Sequence, residues 1–580
     1  MLDRLRPLFP YLQRYWKSLA WGGIAVVLYN VVKILIPLVI GSAIDDMQHG
    51  LTEAKVVHHA VRLLVIAFFA AVFLYITREV IIGASRDIEY DLRNDLFANL
   101  ERQSASYFHT HRTGDIMART TNDLAAVRQL LGPAIMYSAN TIVFTAAALP
   151  FMIRISPKLT LCAFVPLPIA SVLVQYFGAR IHRRFERIQA MFSDISAKAQ
   201  ENFSGARLIR AFVQEEAEIA SFETANREYI RRSLYLVRLM AMLWPTLEFV
   251  LGLSLMITLL VGGHEVVSHR ISVGQFTAFI VYMVQLTWPM IAVGWVVNLF
   301  QRGTASIVRI EELLRQEPSI ADDPAATDAP IIGDIEFRGL TFAYPGAPPV
   351  LHDINLRIPA GTSLAIVGPT GSGKSTLVSL IPRLHDASPG SVLIDGQPIR
   401  RFTLARLRRS IGFVPQETFL FSETIRKNIA FGRPEATMEE IEEAAGIAHI
   451  GTEILEFPRG FDTMVGERGV TLSGGQKQRT SIARAVIRDP RILILDDALA
   501  SVDTYTEERI LSGLRRGMER RTTVFISHRI STARNADQIA VLVNGRIAEL
   551  GTHEDLLTRN GYYTSLCEKQ RLEEELSVTT

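Results

Sequence analysis

The feature that most constrains this chain is a series of long apolar runs confined to its first half. Leu19 to Ile44, Val61 to Ala84, Ala134 to Ile155, Leu159 to Ala179, Leu239 to Val261 and Val273 to Phe300 are each long enough to cross a hydrocarbon core of about 30 Å as a helix. From about Arg302 the sequence becomes an ordinary soluble mixture, so an averaged hydropathy hides two unlike halves. A formal net charge of +2 gives no reason to expect a nucleic-acid partner. The two cysteines, Cys162 and Cys567, are too few for a disulfide framework or a metal cluster and read as structural.

Basic residues orient the spans. Arg4, Arg6, Arg14 and Lys17 precede the first; Arg86, Arg93, Arg102, Arg112 and Arg119 follow the second; a third group, from Arg180 to Arg238, lies between the fourth and fifth. The loops on the other side, "RISPKL" and "VVSHRI", are short and carry few charges. Both termini and the soluble half are therefore expected in the cytosol, with the chain integral to the cell membrane. The opening "MLDRLRPLFPYLQRYWKS" has neither the apolar core nor the cleavage site of a signal peptide, and fits a helix lying in the membrane interface. Two cytosolic loops, about Ser85–Gly132 and Arg180–Arg238, continue the helical pattern beyond the bilayer. Their exposed tips are expected in "TGDIMARTTNDLAAVR" from Thr113 and "AQENFSGARLIRAFVQEEAE" from Ala199.

The soluble half opens after a breaker-rich link, "EPSIADDPAATDAP". The expected division is a membrane domain over 1–315, a linker over 316–330, a nucleotide domain over 331–566 and a charged tail over 567–580. Gly368 to Ser375 fits G-x-x-x-x-G-K-[ST] and sits between a strand and a helix, where the chemistry requires it. Backbone amides of the turn built from Gly368, Pro369, Thr370, Gly371, Ser372 and Gly373, in which Pro369 itself has no donor, and of the helix amino terminus through Thr376 would cradle phosphates. Lys374 would reach the β- and γ-phosphates, and the Ser375 hydroxyl would ligate magnesium. Tyr344 offers a ring on which adenine could stack, and Gln416 in "GFVPQE" could touch magnesium or the attacking water. In "LSGGQKQRTSIARAV", Leu472, Ser473, Gly474, Gly475 and Gln476 open a helix whose free amides favour an anion. "RILILDD" delivers Asp496 to the magnesium, and "TTVFISH" is a strand ending at His528.

In that order, these motifs make the chain resemble an ATP-binding cassette exporter of the six-helix half-transporter type over nearly its whole length. The resemblance implies an α-helical six-span membrane domain followed by a mixed α/β P-loop nucleotide-binding domain with a helical subdomain. It implies ATP and Mg²⁺ as cofactors, and a second half-transporter subunit whose phosphate loop is completed by Leu472–Gln476 of this one. By the same resemblance, Tyr344 stacks adenine, Gln416 is the hinge glutamine, His528 the γ-phosphate switch and Asp503 the dimer-loop aspartate. The two loop tips become coupling helices, and Glu467 lies where the family contacts them.

The position after the magnesium aspartate holds, in that family, a glutamate that orients the attacking water; here it is Asp497. Its carboxylate sits about 1.5 Å nearer the backbone, with similar acidity. The site is therefore expected to bind ATP well and hydrolyse it slowly, and the chain to work in a heterodimer with a glutamate-bearing subunit, a slow homodimer being the alternative. The expected activity is ATP-driven export of amphipathic compounds (drug-like molecules, lipids or peptides). The alternative is a non-transporting membrane ATPase or ATP-gated regulator on the same frame. Membrane lipids and amphipathic small molecules are the expected partners. Lys33, Glu248, Trp288 and Trp295 are candidates for the substrate cavity, since ionisable residues at membrane depth usually face an interior or water.

Overall fold

The computed structural model describes residues 2–579 except 49, 51, 467, 468, 470, 503 and 518–520. The chain divides into two compact units. One holds the residues up to Glu101 and those from Thr113 to Gln316; the other holds Arg102–Arg112 and everything from Glu317.

The first unit is built of long helices: α1 (Trp16–Gln48), α2 (Glu53–Arg102) and, after the short α3 (Ala105–Thr110), α4 (Thr113–Ile155). Then come α5 (Pro157–Phe164), α6 (Pro166–Ser204), α7 (Ala206–Ala211), α8 (Glu215–Val267) and α9 (Val273–Arg315). Among the described residues, five helices are long and apolar enough to cross a membrane: α1, α2, α4, α8 and α9. The sixth expected span, Leu159 to Ala179, is divided between α5 and α6 at Val165. Hydropathy does not register this break. Pro166 and Pro168 lack amide donors, so the apolar run is shared between two helices.

The membrane unit has its core where α9 packs on α1 and α4, through Ile34, Phe144, Met152, Phe279 and Tyr282. Two polar side chains are buried along α1 and α9: Tyr282 Oη donates to the Ile34 carbonyl at 2.8 Å, and Asn30 Nδ2 donates to Asn140 at 2.7 Å, while Asn30 Oδ1 has no partner among the described residues. By contrast only 6% of the apolar window of α2 is buried, so its surface needs lipid or another chain. The amino-terminal segment forms a short helix, Phe9–Arg14, tied to the far end of α2. Tyr11 donates to Asp95 at 2.6 Å, and Arg14 pairs with Asp91 at 2.7 Å. At the first loop, α4 begins within the first unit at Thr113, and the short α3 before it is grouped with the second unit.

The second unit contains ten strands among the described residues: β1 (Ile335–Ala343), β2 (Pro349–Ile358), β3 (Ser363–Val367), β4 (Val392–Ile394), β5 (Gln397–Pro398), β6 (Ile411–Val414), β7 (Ile492–Asp496), β8 (Thr522–Ile526), β9 (Gln538–Val543) and β10 (Arg546–Gly551). They form a four-stranded sheet, β2-β1-β4-β5, and a six-stranded one, β10-β9-β3-β8-β7-β6, parallel except for β10. β7 is buried along its whole length, as an apolar run in a covered parallel sheet must be. Register puts the carboxyl ends of β3, β7 and β8 side by side, with Asp496 opposite Ile526 and Ile366 opposite the same residue. In an open parallel sheet, that edge is where ligands bind. The helices between Ile425 and Val486 share a second apolar core with the sheet, which makes the helical subdomain. The linker residues lie on this unit, with Asp322 accepting from the Leu404 amide at 2.6 Å. The tail residues continue a helix, Tyr562–Thr579, whose Tyr563 is fully buried.

Candidate nucleotide-binding site

β3 ends at Val367, and the loop Gly368–Gly373 leads into α10 (Lys374–Ser379). Two of its glycines are required by geometry. A Cβ on Gly368 would lie 2.1 Å from the Leu542 carbonyl oxygen, and one on Gly373, at φ +97°, 2.8 Å from the Leu351 side chain. The loop is therefore pressed against β2 and β9. Lys374 is buried and donates to the Gly368 and Pro369 carbonyls, both at 2.9 Å. Burial pushes its ammonium below the usual lysine range, while Asp497 and Asp496 pull it back. The Ser372 hydroxyl is buried without a partner, a donor aimed at nothing in the protein.

Ser375 Oγ donates to Asp496 Oδ1 at 2.9 Å. Burial raises the Asp496 carboxyl above its ordinary range, and neighbouring Asp497 adds to this, against the Ser375 hydrogen bond and Lys374. A hydroxyl and a desolvated carboxylate touching one another are the hard oxygens that suit Mg²⁺, which typically takes one or two carboxylates and completes its shell with phosphate and water. The residues fit the ion. Gln416 lies at the exposed rim of the same open cleft, which also brings together the phosphate loop, Asp497 and His528.

Asp497 follows the strand at φ +49°, a left-handed conformation that Asp adopts more readily than most residues. Its Oδ2 lies 4.0 Å from His528 Nε2, beyond hydrogen-bond reach. Tyr344 flanks the loop: its hydroxyl meets Thr376 Oγ1 at 3.0 Å, and its ring stands edge-on to His385, centroids 5.1 Å apart.

The second glycine pair opens α11 (Gly474–Val486). Ser473 caps it, accepting from the Gln476 amide at 3.3 Å, while Gln476 accepts from the Ser473 amide at 3.0 Å. Gln476 also donates to Glu453 at 3.2 Å, and Arg479 grips the same carboxylate at 2.5 and 2.9 Å. Among the described residues, none of Leu472–Gln476 lines the phosphate cleft. Asp503 and Glu467 lie outside the described residues.

Sequence reasoning missed the ties that hold these loops. Gln478 accepts from the Ser501 amide at 3.0 Å, and a Cβ on Gly475 would sit 3.0 Å from the Ser501 carbonyl. Arg529 donates to the Val502 carbonyl at 2.9 Å and to the buried Glu507 at 2.5 Å. The one available signal was the position of Arg529 beside His528. The substrate-cavity candidates are spread out. Lys33 Nζ lies 4.9 Å from the Phe144 ring centroid and 5.6 Å from that of Tyr29. Glu248, Trp288 and Trp295 are exposed on α8 and α9, with Trp295 edge-on to Tyr137 at 5.3 Å.

A phosphate loop, a strand-end carboxylate beside its hydroxyl, and a set of membrane-crossing helices on one chain define a membrane-embedded P-loop ATPase. Residues 19–290 match the ABC transporter transmembrane region, and residues 351–500 match the ABC transporter domain; the chain belongs to the ABC transporters. It is 36% identical to the probable multidrug resistance ABC transporter ATP-binding/permease protein YheI of Bacillus subtilis, over 99% of this chain and 98% of that one. It is 38% identical to an ATP-dependent lipid A-core flippase of Desulfotalea psychrophila, over 88% of this chain and 89% of the flippase. A solved structure of a bacterial Atm1-family ABC exporter with ATP bound is similar, with a TM-score of 0.79, 28% identity, and coverage of 96% of this chain and 99% of that chain. The chain is accordingly an ATPase coupled to transport, and these full-length similarities to exporters do not favour the non-transporting alternative.

Proposed function

We propose that this chain is one half of a dimeric, ATP-driven exporter of amphipathic compounds in the cell membrane, with both termini in the cytosol. The observation that carries the reading is the separation of two half-sites. The cleft that gathers the phosphate loop, Asp496, Asp497 and His528 contains none of the residues Leu472–Gln476. A second subunit's "LSGGQ" would close that cleft, and this chain's would close the partner's.

Within the cleft, Lys374 would exchange its two carbonyl partners for β- and γ-phosphate oxygens, and Ser372 would find its missing acceptor. Tyr344 would stack on adenine. Asp497 would orient the attacking water and His528 would hold the γ-phosphate. Magnesium, held by Ser375, Asp496 and Gln416, would supply neutralisation of phosphate charge. The cytosolic tips α3 and α7 would pass closure to the spans; at the second tip Phe203, Leu208 and Phe212 are exposed, as a surface awaiting a partner would be. The substrate class follows from the multidrug and lipid-flippase relatives, with Lys33, Glu248, Trp288 and Trp295 as candidate cavity residues.

We further propose a heterodimer with a glutamate-bearing subunit, because Asp497 stops short of His528 while the "LSGGQ" turn is intact. The presence of His528 keeps a slow homodimer as the second reading. The test is ATP-dependent uptake of a fluorescent cationic amphiphile and of a labelled lipid into inside-out vesicles. Uptake should be lost in Lys374→Ala; ATP hydrolysis without uptake of any amphiphile would overturn the exporter reading.

A further inference from the structure

Among the described residues, the side chain of His528 has no anchor within hydrogen-bond reach: its acidic neighbour Asp497 is 4.0 Å away, and nearly half of the side chain is exposed. What holds it is its backbone, and the holding group comes from the far end of the chain. In α12 (Tyr562–Thr579), the Gln570 side chain spans Arg529. Its Oε1 accepts from the Ile530 amide at 2.8 Å, and its Nε2 donates to the His528 carbonyl. One carboxamide thus pairs with the C=O before and the N–H after a single residue, as a neighbouring strand would. This fixes Arg529 in its extended conformation at φ −103°, ψ 127°.

The helix that delivers Gln570 is itself firmly seated. Glu549 accepts from the amides of Tyr562 and Tyr563, at 2.5 and 3.2 Å, and so caps its start. The fully buried Tyr563 meets His553 Nδ1 through its hydroxyl at 2.8 Å. Gln570 is two turns further on, past the buried anchor, and reaches the switch from a fixed base. On the other side of the clamp, the Arg529 guanidinium binds the Val502 carbonyl, so the same short segment also touches the loop that follows Asp497.

We propose that Gln570 is a positioning residue for hydrolysis: the carboxy-terminal helix sets the height of His528 over the nucleotide through this two-bond clamp. The proposal rests on the ATPase assignment and on no particular substrate. Gln570 is not among the residues that line the phosphate cleft, so its loss should leave ATP binding alone and misplace the histidine. Two neutral hydrogen bonds and a sub-ångström displacement correspond to a loss of about tenfold in rate.

The experiment is single-turnover ATP hydrolysis by the full-length chain in lipid nanodiscs, with protein in excess so that a slow site is still read. Gln570→Ala should lower the hydrolysis rate about tenfold while ATP affinity stays within about twofold. Gln570→Glu, which keeps the acceptor for Ile530 but sets a carboxylate against the His528 carbonyl, should fall at least as far. Hydrogen exchange at Ile530 should quicken in Gln570→Ala, with Tyr563 unchanged. In a His528→Ala background, Gln570→Ala should cost nothing further, because both act through one group. An unchanged rate, an equal loss of ATP affinity, or an undiminished cost in the His528→Ala background would overturn the proposal. ATP affinity retained in His528→Ala together with lost binding in Lys374→Ala would leave the nucleotide-site reading standing in any of those cases.

Discussion

Replacing Asp497 by Glu tests whether reach alone limits this site. Asp497 Oδ2 is 4.0 Å from His528 Nε2, and a hydrogen bond requires about 3.2 Å or less. One added methylene extends the carboxylate by about 1.5 Å, enough to meet either the histidine or a water between them. A misplacement of about 1 Å commonly costs roughly 10²-fold, so Asp497→Glu is expected to speed hydrolysis about 100-fold, equivalent to about 2.7 kcal/mol of barrier. The same change has a structural cost. The residue sits at φ +49°, where Glu is less comfortable than Asp, and the fold should lose up to about 1 kcal/mol. The assay is single-turnover hydrolysis of radiolabelled ATP by the full-length chain, with a thermal melt alongside. A gain below about threefold, with ATP still bound and the fold intact, would refute the argument that reach is limiting. So would a wild-type chain that already turns over at the rate of its Glu variant.

Lys374→Ala should abolish photolabelling by an azido-ATP at this chain, because the loop amides remain but the phosphate charge loses its partner; undiminished labelling would reject that role. Asp496→Asn should raise the melting temperature of the nucleotide-free protein at neutral pH, since burial disfavours the Asp496 charge. The sign follows from its raised pKa: stability relative to the Asn variant is lost as pH rises through the folded value, so the gap should close in acid. An Asn variant less stable than wild type at neutral pH, or one still protected better by Mg-ATP than by ATP with chelator, would count against it. Arg479→Ala, which leaves Glu453 with one fewer charged partner, should cost about 1–2 kcal/mol in a denaturant melt and slow the partner's site, and a neutral result would show the pair to be ornamental. Glu248→Gln should weaken stimulation by cationic amphiphiles more than by neutral ones; equal loss would point to a structural role.

What could be read from the sequence was what is local. The phosphate loop and the strand-end acids are short runs whose chemistry and context lie within about twenty residues, and "RILILDD" announces both the buried strand and its terminal carboxylates. The ties that set geometry join residues far apart in the chain: Gln570 with His528, Gln478 with Ser501, Arg479 with Glu453. Each uses an ordinary polar residue with no spacing rule, so only the fold brings it out. The break at Val165 is a different case. The prolines were visible, but hydropathy sums side chains and takes no account of missing amides. The helical pattern read from Thr113 is that of α4, which runs unbroken through two π-type turns to Ile155.

The two aspartates at the end of β7 acquire a mechanical meaning from their surroundings. The segment that begins at Asp497 continues to Ser501, whose amide is held by Gln478 of α11, and to Val502, whose carbonyl is held by Arg529 beside His528. Any movement at the γ-phosphate position that shifts His528 therefore reaches α11, and with it the Ser473 cap, through hydrogen bonds that do not involve the Asp497 carboxylate. On the proposed role of Asp497, shortening that carboxylate would slow the chemistry and leave the linkage whole. We infer that a subunit of this kind suits a site that holds ATP and transmits closure, while a glutamate-bearing partner hydrolyses. If so, an Asp497→Asn variant paired with such a partner should keep most of the assembly's transport, whereas Gln478→Ala, which cuts the linkage but spares the acid, should lose it. The reverse order of severity, measured as initial rates of vesicle uptake, would show that chemistry at this site and not linkage is what the dimer needs.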